Sequence, residues 1–96
     1  MYVLITYDVN ITSPEGAKRL RNVAKICTNY GKRVQNSVFE CLVTEAQYVV
    51  LKSCLKDVID KKLDNIRFYL LGKNWKRRIE TLGQANDIDF TDNLII

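Results

Sequence analysis

Apolar and polar positions along the chain sort into segments of two different periods. Tyr2-Val3-Leu4-Ile5-Thr6-Tyr7 is an apolar, β-branched run that ends on Asp8. So short and continuous a run predicts a central strand buried on both faces. Val9 to Thr12 form a loop. Ser13-Pro14-Glu15 then marks a helix start, with a capping hydroxyl, proline at the first helical position and an acid in the first turn. Ala17, Leu20, Val23, Ala24, Cys27 and Tyr30 recur at steps of three and four, giving that helix one buried face until Gly31 stops it. Residues 32–43 are β-rich around a polar break at Gln35-Asn36-Ser37. They predict a hairpin in which Phe39, Cys41 and Val43 alternate with Glu40 and Leu42. Thr44-Glu45-Ala46-Gln47 is a capping box and opens a second helix to about Lys62, burying Tyr48, Leu51, Leu55, Val58 and Ile59. Leu63-Asp64-Asn65 turns the chain into a strand over Ile66 to Leu71, ended by Gly72. Ile79 to Leu82 reads as one more short strand, closing at Gly83.

The resulting order, β-α-β-β-α-β, predicts an α+β domain of the ferredoxin-like kind, an antiparallel sheet with both helices on one face. We assign residues 1–83 to that domain and 84–96 to a polar linker and a terminal strand. Leu94-Ile95-Ile96 would be wet and frayed unless it docked, as an edge strand, on this chain or on a partner. At 96 residues the chain buries only roughly 60–65% of its extended surface, so a dimer interface would supplement a modest core. The fold alone decides nothing about chemistry.

Charge changes the picture more than composition does. The 15 Lys and Arg all lie at or before Arg78, against 8 acids up to Gly83, a balance of +7. Asp87, Asp89 and Asp92 make the tail acidic. A basic body suits a polyanion, and an acidic tail suits a basic neighbour. The three cysteines, Cys27, Cys41 and Cys54, form no C-x-x-C pair and sit among apolar neighbours, so we read them as buried free thiols in a reducing compartment. No run approaches membrane-spanning length, and the start turns polar too soon for a signal peptide. The expected location is the cytoplasm.

With no histidine in the chain, histidine-based nucleophile pairs and acid–base catalysis are excluded. No phosphate-cradling glycine loop is present either. Chemistry on hard metals, which needs carboxylate oxygens and water, stays open. Asp8 is the candidate ligand. One carboxylate holds Mg²⁺ poorly, but a two-fold axis near the strand end would bring two copies together, with a cation relieving their repulsion. The competing reading, which the pattern by itself favours, makes Asp8 a turn residue accepting backbone N–H bonds. Lys18, Arg19, Arg21 and Lys25, with Lys32 and Arg33, are six cations in sixteen positions and a candidate phosphate-contacting surface. Taken singly, each is an ordinary solvated residue. Trp75, among Lys73, Lys76, Arg77 and Arg78, either stacks on a base or covers the sheet edge, the second being the plainer reading. Tyr7 and Phe39 read as core or interface aromatics. Ser37 reads as a turn residue, with no base to activate it.

Four stretches together resemble the CRISPR-associated protein 2 family: Tyr2 to Val9, the basic Lys18-Arg19-Leu20-Arg21, Gly31 to Glu40 with its Arg-Val-Gln-x-Ser-Val-Phe motif, and Ile66 to Gly72. The match covers most of the chain in order. The Tyr-Asp strand end combined with the second motif is its specific part. The resemblance implies a ferredoxin-like homodimer whose C-terminal strand crosses to the other subunit. It implies Mg²⁺ held by Asp8 from each chain, and metal-dependent hydrolysis of DNA or RNA phosphodiesters. It also implies a partner, the CRISPR integrase, with the dimer bridging integrase dimers on DNA during spacer acquisition. Tyr7, Arg19, Arg33, Ser37 and Phe39 match positions near the family's site; Arg77 and Arg78 extend the expected nucleic-acid surface. Two alternatives remain, a non-catalytic scaffold and a toxin-type messenger-RNA nuclease of the same fold. A small-molecule-sensing module is disfavoured, since no glycine-rich ligand loop is present.

Overall fold

A computed structural model describes residues 1–83. The expected terminal strand and the linker before it lie outside the described residues. Strand β1 (Tyr2–Asp8) leads into helix α1 (Pro14–Thr28). The hairpin β2 (Gly31–Gln35) and β3 (Val38–Leu42) follows, then helix α2 (Glu45–Val58) and strand β4 (Asn65–Gly72). The sheet is wholly antiparallel in the order β2-β3-β1-β4. This is the ferredoxin-like α+β arrangement that the pattern predicts.

Both helices begin where the caps place them. Ser13 Oγ accepts from the Gly16 N–H at 3.0 Å. Thr44 and Gln47 close the capping box in both directions, at 3.1 and 2.9 Å. The far ends fall earlier than predicted. The second helix stops at Val58 because Ile59 turns extended and Asp60 Oδ1 accepts the Lys62 and Leu63 amides at 2.9 and 3.2 Å. The hairpin turns at Asn36-Ser37 as read.

One face of the sheet carries the core. Val3, Ile5, Tyr7, Phe39, Cys41 and Val43 pack against Val23, Ala24 and Cys27 of α1 and Leu51 and Leu55 of α2. Central position in the sheet therefore does not bury β1 on both sides: Leu4 and Thr6, on its other face, are only half-buried. Tyr2, on that second face, is nonetheless fully buried. The Trp75 ring stacks on it at 4.8 Å, so the tryptophan covers the sheet.

Two further expectations change. Residues 79–82 form no strand; a short 3₁₀ turn over Trp75–Arg78 takes the chain back over the sheet, where Arg78 Nη1 donates to the Leu71 carbonyl at 2.8 Å. Cys54 is exposed, because the buried stripe of α2 narrows to Leu51 and Leu55, with Tyr48, Val58 and Ile59 half-buried. Cys27 and Cys41 are buried free thiols as expected, Cys41 Sγ donating to the Cys27 carbonyl at 3.6 Å. No helix among the described residues is long and apolar enough to cross a membrane.

Candidate active site and nucleic-acid interface

Asp8 is the last residue of β1 and lies opposite Asn65, the first of β4. It is exposed, and its carboxylate accepts no hydrogen bond from the described residues. The turn beyond it is built by others. Asn10 Oδ1 accepts from the Thr12 N–H and hydroxyl at 3.0 and 2.6 Å, and Ser13 Oγ reaches the Asn10 carbonyl at 3.3 Å. The turn-residue role therefore belongs to Asn10, and the Asp8 carboxylate is left to solvent. Arg67 lies across from Thr6 on β4. A bond with the Tyr69 side chain, and then the Asp8 charge, hold its guanidinium above the ordinary range.

Directly behind Asp8 lies a polar cluster that no sequence motif announces. The Asp64 carboxylate is withdrawn from solvent and binds Arg19 in a fork, Nε to Oδ2 at 2.8 Å and Nη2 to Oδ1 at 3.0 Å. The Tyr7 hydroxyl also donates to Oδ2, as does the Asp60 N–H at 3.0 Å. Four donors on one carboxylate settle its protonation. Burial raises the Asp64 carboxyl, but the Arg19 bonds, then those from Tyr7 and the Asp60 amide, outweigh it and hold the group below the usual carboxylate range. Burial and the same carboxylate push the Tyr7 phenol up. The Tyr7 N–H meanwhile donates to the Ser37 carbonyl at 2.9 Å, joining the hairpin turn to the end of β1.

The predicted site residues divide accordingly. Tyr7 and Arg19 join Asp64 behind Asp8, and Ser37 acts there through its backbone. Phe39 is fully buried in the core, with the Arg33 guanidinium 5.7 Å from its ring centroid. Arg33 Nε donates to the Asn36 carbonyl at 2.8 Å and so braces the hairpin. Lys18, Arg21 and Lys25 are exposed on α1 at a spacing that lines them along one stripe, whereas the Arg19 side chain is 18% exposed. Arg77 and Arg78 are exposed beside Trp75, distant in sequence from that stripe. Sequence reading passed over Asp64 and Arg67. Only the pairing of β4 with β1 would have drawn attention to them.

Among the described residues, no group of three or more His, Cys, Asp or Glu stands together as a metal site. The described donors of one chain thus do not fit a metal by themselves. Asp8 contributes one hard, solvent-facing oxygen pair, and a second copy would be needed to complete even a two-carboxylate set.

Comparison with known proteins gives the family and the fold. Residues 1–79 match the family model for CRISPR associated protein Cas2. A Chlorobaculum tepidum protein named CRISPR-associated endoribonuclease Cas2 is 53% identical over 96 residues, the whole of both chains. A Halalkalibacterium halodurans protein named CRISPR-associated endonuclease Cas2 is 54% identical over 95 residues, 99% of each. The crystal structure of Streptococcus pyogenes Cas2 superposes with a TM-score of 0.80 at 66% identity, covering 86% of this chain and 100% of that one. With the family model, full-length sequence similarity and fold in agreement, the chain belongs to the CRISPR associated protein Cas2 family.

Proposed function

We propose that this protein is a Mg²⁺-dependent endonuclease that hydrolyses phosphodiester bonds of RNA or DNA, working as a homodimer in which Asp8 of each subunit supplies the metal-binding carboxylate. The observation that carries this reading is Asp8 itself, an exposed carboxylate at the end of β1 that takes no part in the turn beyond it. The names of its relatives, endoribonuclease and endonuclease, support the reaction class. Bound there, Mg²⁺ would activate water and offset charge on the phosphate. The chain's own part is to present Asp8 at the end of β1, and to attract the polyanion through Lys18, Arg21 and Lys25. Arg67, exposed on β4 opposite Thr6, suits a phosphate oxygen beside the metal.

The same basic surface favours a second role as a DNA-binding scaffold that joins the CRISPR integrase during spacer acquisition. Exposed cations on α1 and around Arg77 and Arg78 need no metal to hold a duplex. One comparison separates the two roles: labelled RNA and duplex DNA incubated with Mg²⁺, wild type beside Asp8→Ala. Loss of cleavage in the variant supports the metal site. Survival of cleavage removes it. Loss of cleavage with integration intact makes scaffolding the principal role.

A further inference from the structure

We propose that Asp64 is a positioning residue for Asp8: its carboxylate, tied at once to Tyr7, Arg19 and the Asp60 amide, fixes the direction in which Asp8 leaves the sheet. The inference rests on the reading of Asp8 as the metal-binding carboxylate and extends it to a residue that touches neither metal nor substrate.

The geometry is specific. Tyr7 precedes Asp8 on β1, and Asp64 precedes Asn65, the residue paired with Asp8 across the β1–β4 ladder. A bond between the Tyr7 hydroxyl and Asp64 therefore braces that ladder one residue from Asp8 on each strand. Arg19 carries the brace to α1 through two bonds of 2.8 and 3.0 Å. The Asp60 amide carries it to the loop after α2 at 3.0 Å. Beyond Asp8 the chain is half-buried at Val9 and exposed from Asn10 to Thr12. This anchor, beside the Tyr7 N–H on the Ser37 carbonyl, is what ties the β4 side of the last rungs. A two-carboxylate site shared between subunits tolerates little fraying, since both oxygen pairs must converge on one ion.

The test uses Asp64→Asn, which keeps the shape and removes the charge, in the full-length protein. Native-state hydrogen exchange should show the amides of Tyr7, Asp8 and Asn65 opening about tenfold faster, while Val3 and Ile5 keep their wild-type rates. Mn²⁺, used as a paramagnetic probe, should bind with a half-saturation raised about tenfold, and kcat for Mg²⁺-dependent cleavage should fall about ten- to a hundredfold with KM for the oligonucleotide unchanged. A role confined to stability would lower Tm and leave Mn²⁺ binding and kcat where they were. A folded Asp64→Asn protein with wild-type exchange at Asp8 and wild-type Mn²⁺ affinity overturns the proposal, as does a rise in KM at constant kcat. Should Asp64→Asn fail to fold, Tyr7→Phe keeps the Arg19–Asp64 pair, removes one tie, and should move the same readouts in the same direction by less. Failure of the nuclease reading looks different: Asp8→Asn would cleave and bind Mn²⁺ as the wild type does. Hydrogen exchange would then judge the brace alone.

Discussion

Arg19 grips Asp64 across 45 residues of sequence, Nε 2.8 Å from Oδ2 and Nη2 3.0 Å from Oδ1. A forked pair of this kind fixes both partners in orientation as well as distance. The carboxylate is fully buried, so its charge depends on that fork and on the donors from Tyr7 and Asp60.

The first prediction concerns acid. Asp64 is held below the usual carboxylate range in the folded protein, so unfolding releases it toward an ordinary value of about 4. The stability it lends is therefore complete above about pH 4, and is lost as the pH falls through the folded-state value. Asp64→Asn should cost on the order of 2 kcal/mol at pH 7, about 10 °C in Tm. Melting both proteins from neutral pH downward should show the gap closing in acid. A gap independent of pH would mean that the charge of Asp64 contributes nothing.

Gly16 offers a case where local propensity gives the wrong sign. In an isolated helix, alanine there would gain about 1 kcal/mol. In the folded protein a Cβ on Gly16 would lie 1.9 Å from the Asn10 carbonyl oxygen, inside the turn that follows Asp8. Gly16→Ala should therefore destabilise by about 2 kcal/mol. Urea denaturation decides it, and a neutral or stabilised variant would show that the turn moves aside freely.

Salt titrations should separate the cations that sequence alone groups together. Replacing Lys18, Arg21 or Lys25 by alanine should weaken duplex binding and lower the slope of log K against log salt by about one each. Arg19→Ala should instead lower Tm, by leaving Asp64 buried and unpaired, with little effect on the slope. Anisotropy titrations between about 50 and about 200 mM salt measure both. Equal slopes for Arg19→Ala and Arg21→Ala would be read as direct phosphate contact by Arg19.

Trp75 should behave as a cover and not as a base platform. Its ring stacks on Tyr2, which is fully buried beneath it, and Lys76 lies 5.6 Å from its centroid on the basic turn. Trp75→Ala should cost about 1–2 kcal/mol, since the contact is aromatic but partly open. Adding oligonucleotide to the wild type should leave the indole emission unchanged. Strong quenching would mean that a base displaces Tyr2.

Much of this fold was legible because its signals are short-range. The Ser13 and Thr44 caps, the turn at Asn36-Ser37 and the 3.6-residue stripe of α1 each involve residues a few positions apart. Their physics is complete within one turn of helix or one hairpin. The misreadings come where a local pattern meets a distant partner. Cys54 fits an apolar helix stretch, yet α2 turns it outward; Ile79 to Leu82 looks like a strand, yet Trp75 draws the chain onto Tyr2 first.

The sequence by itself determined the order of strands and helices, the basic balance of the body, the exclusion of histidine chemistry and the candidacy of Asp8. Periodicity, caps and charge counts need no partner from elsewhere in the chain. Only the tertiary structure decided that Arg19 turns inward, that Asn10 and not Asp8 makes the turn, and that Asp64 joins Tyr7 across 57 residues. The Arg19 and Asp64 outcomes depend on which strand lies beside β1. A hydrogen bond has meaning for a carboxylate only once folding has removed water and brought its donors within 3 Å or so.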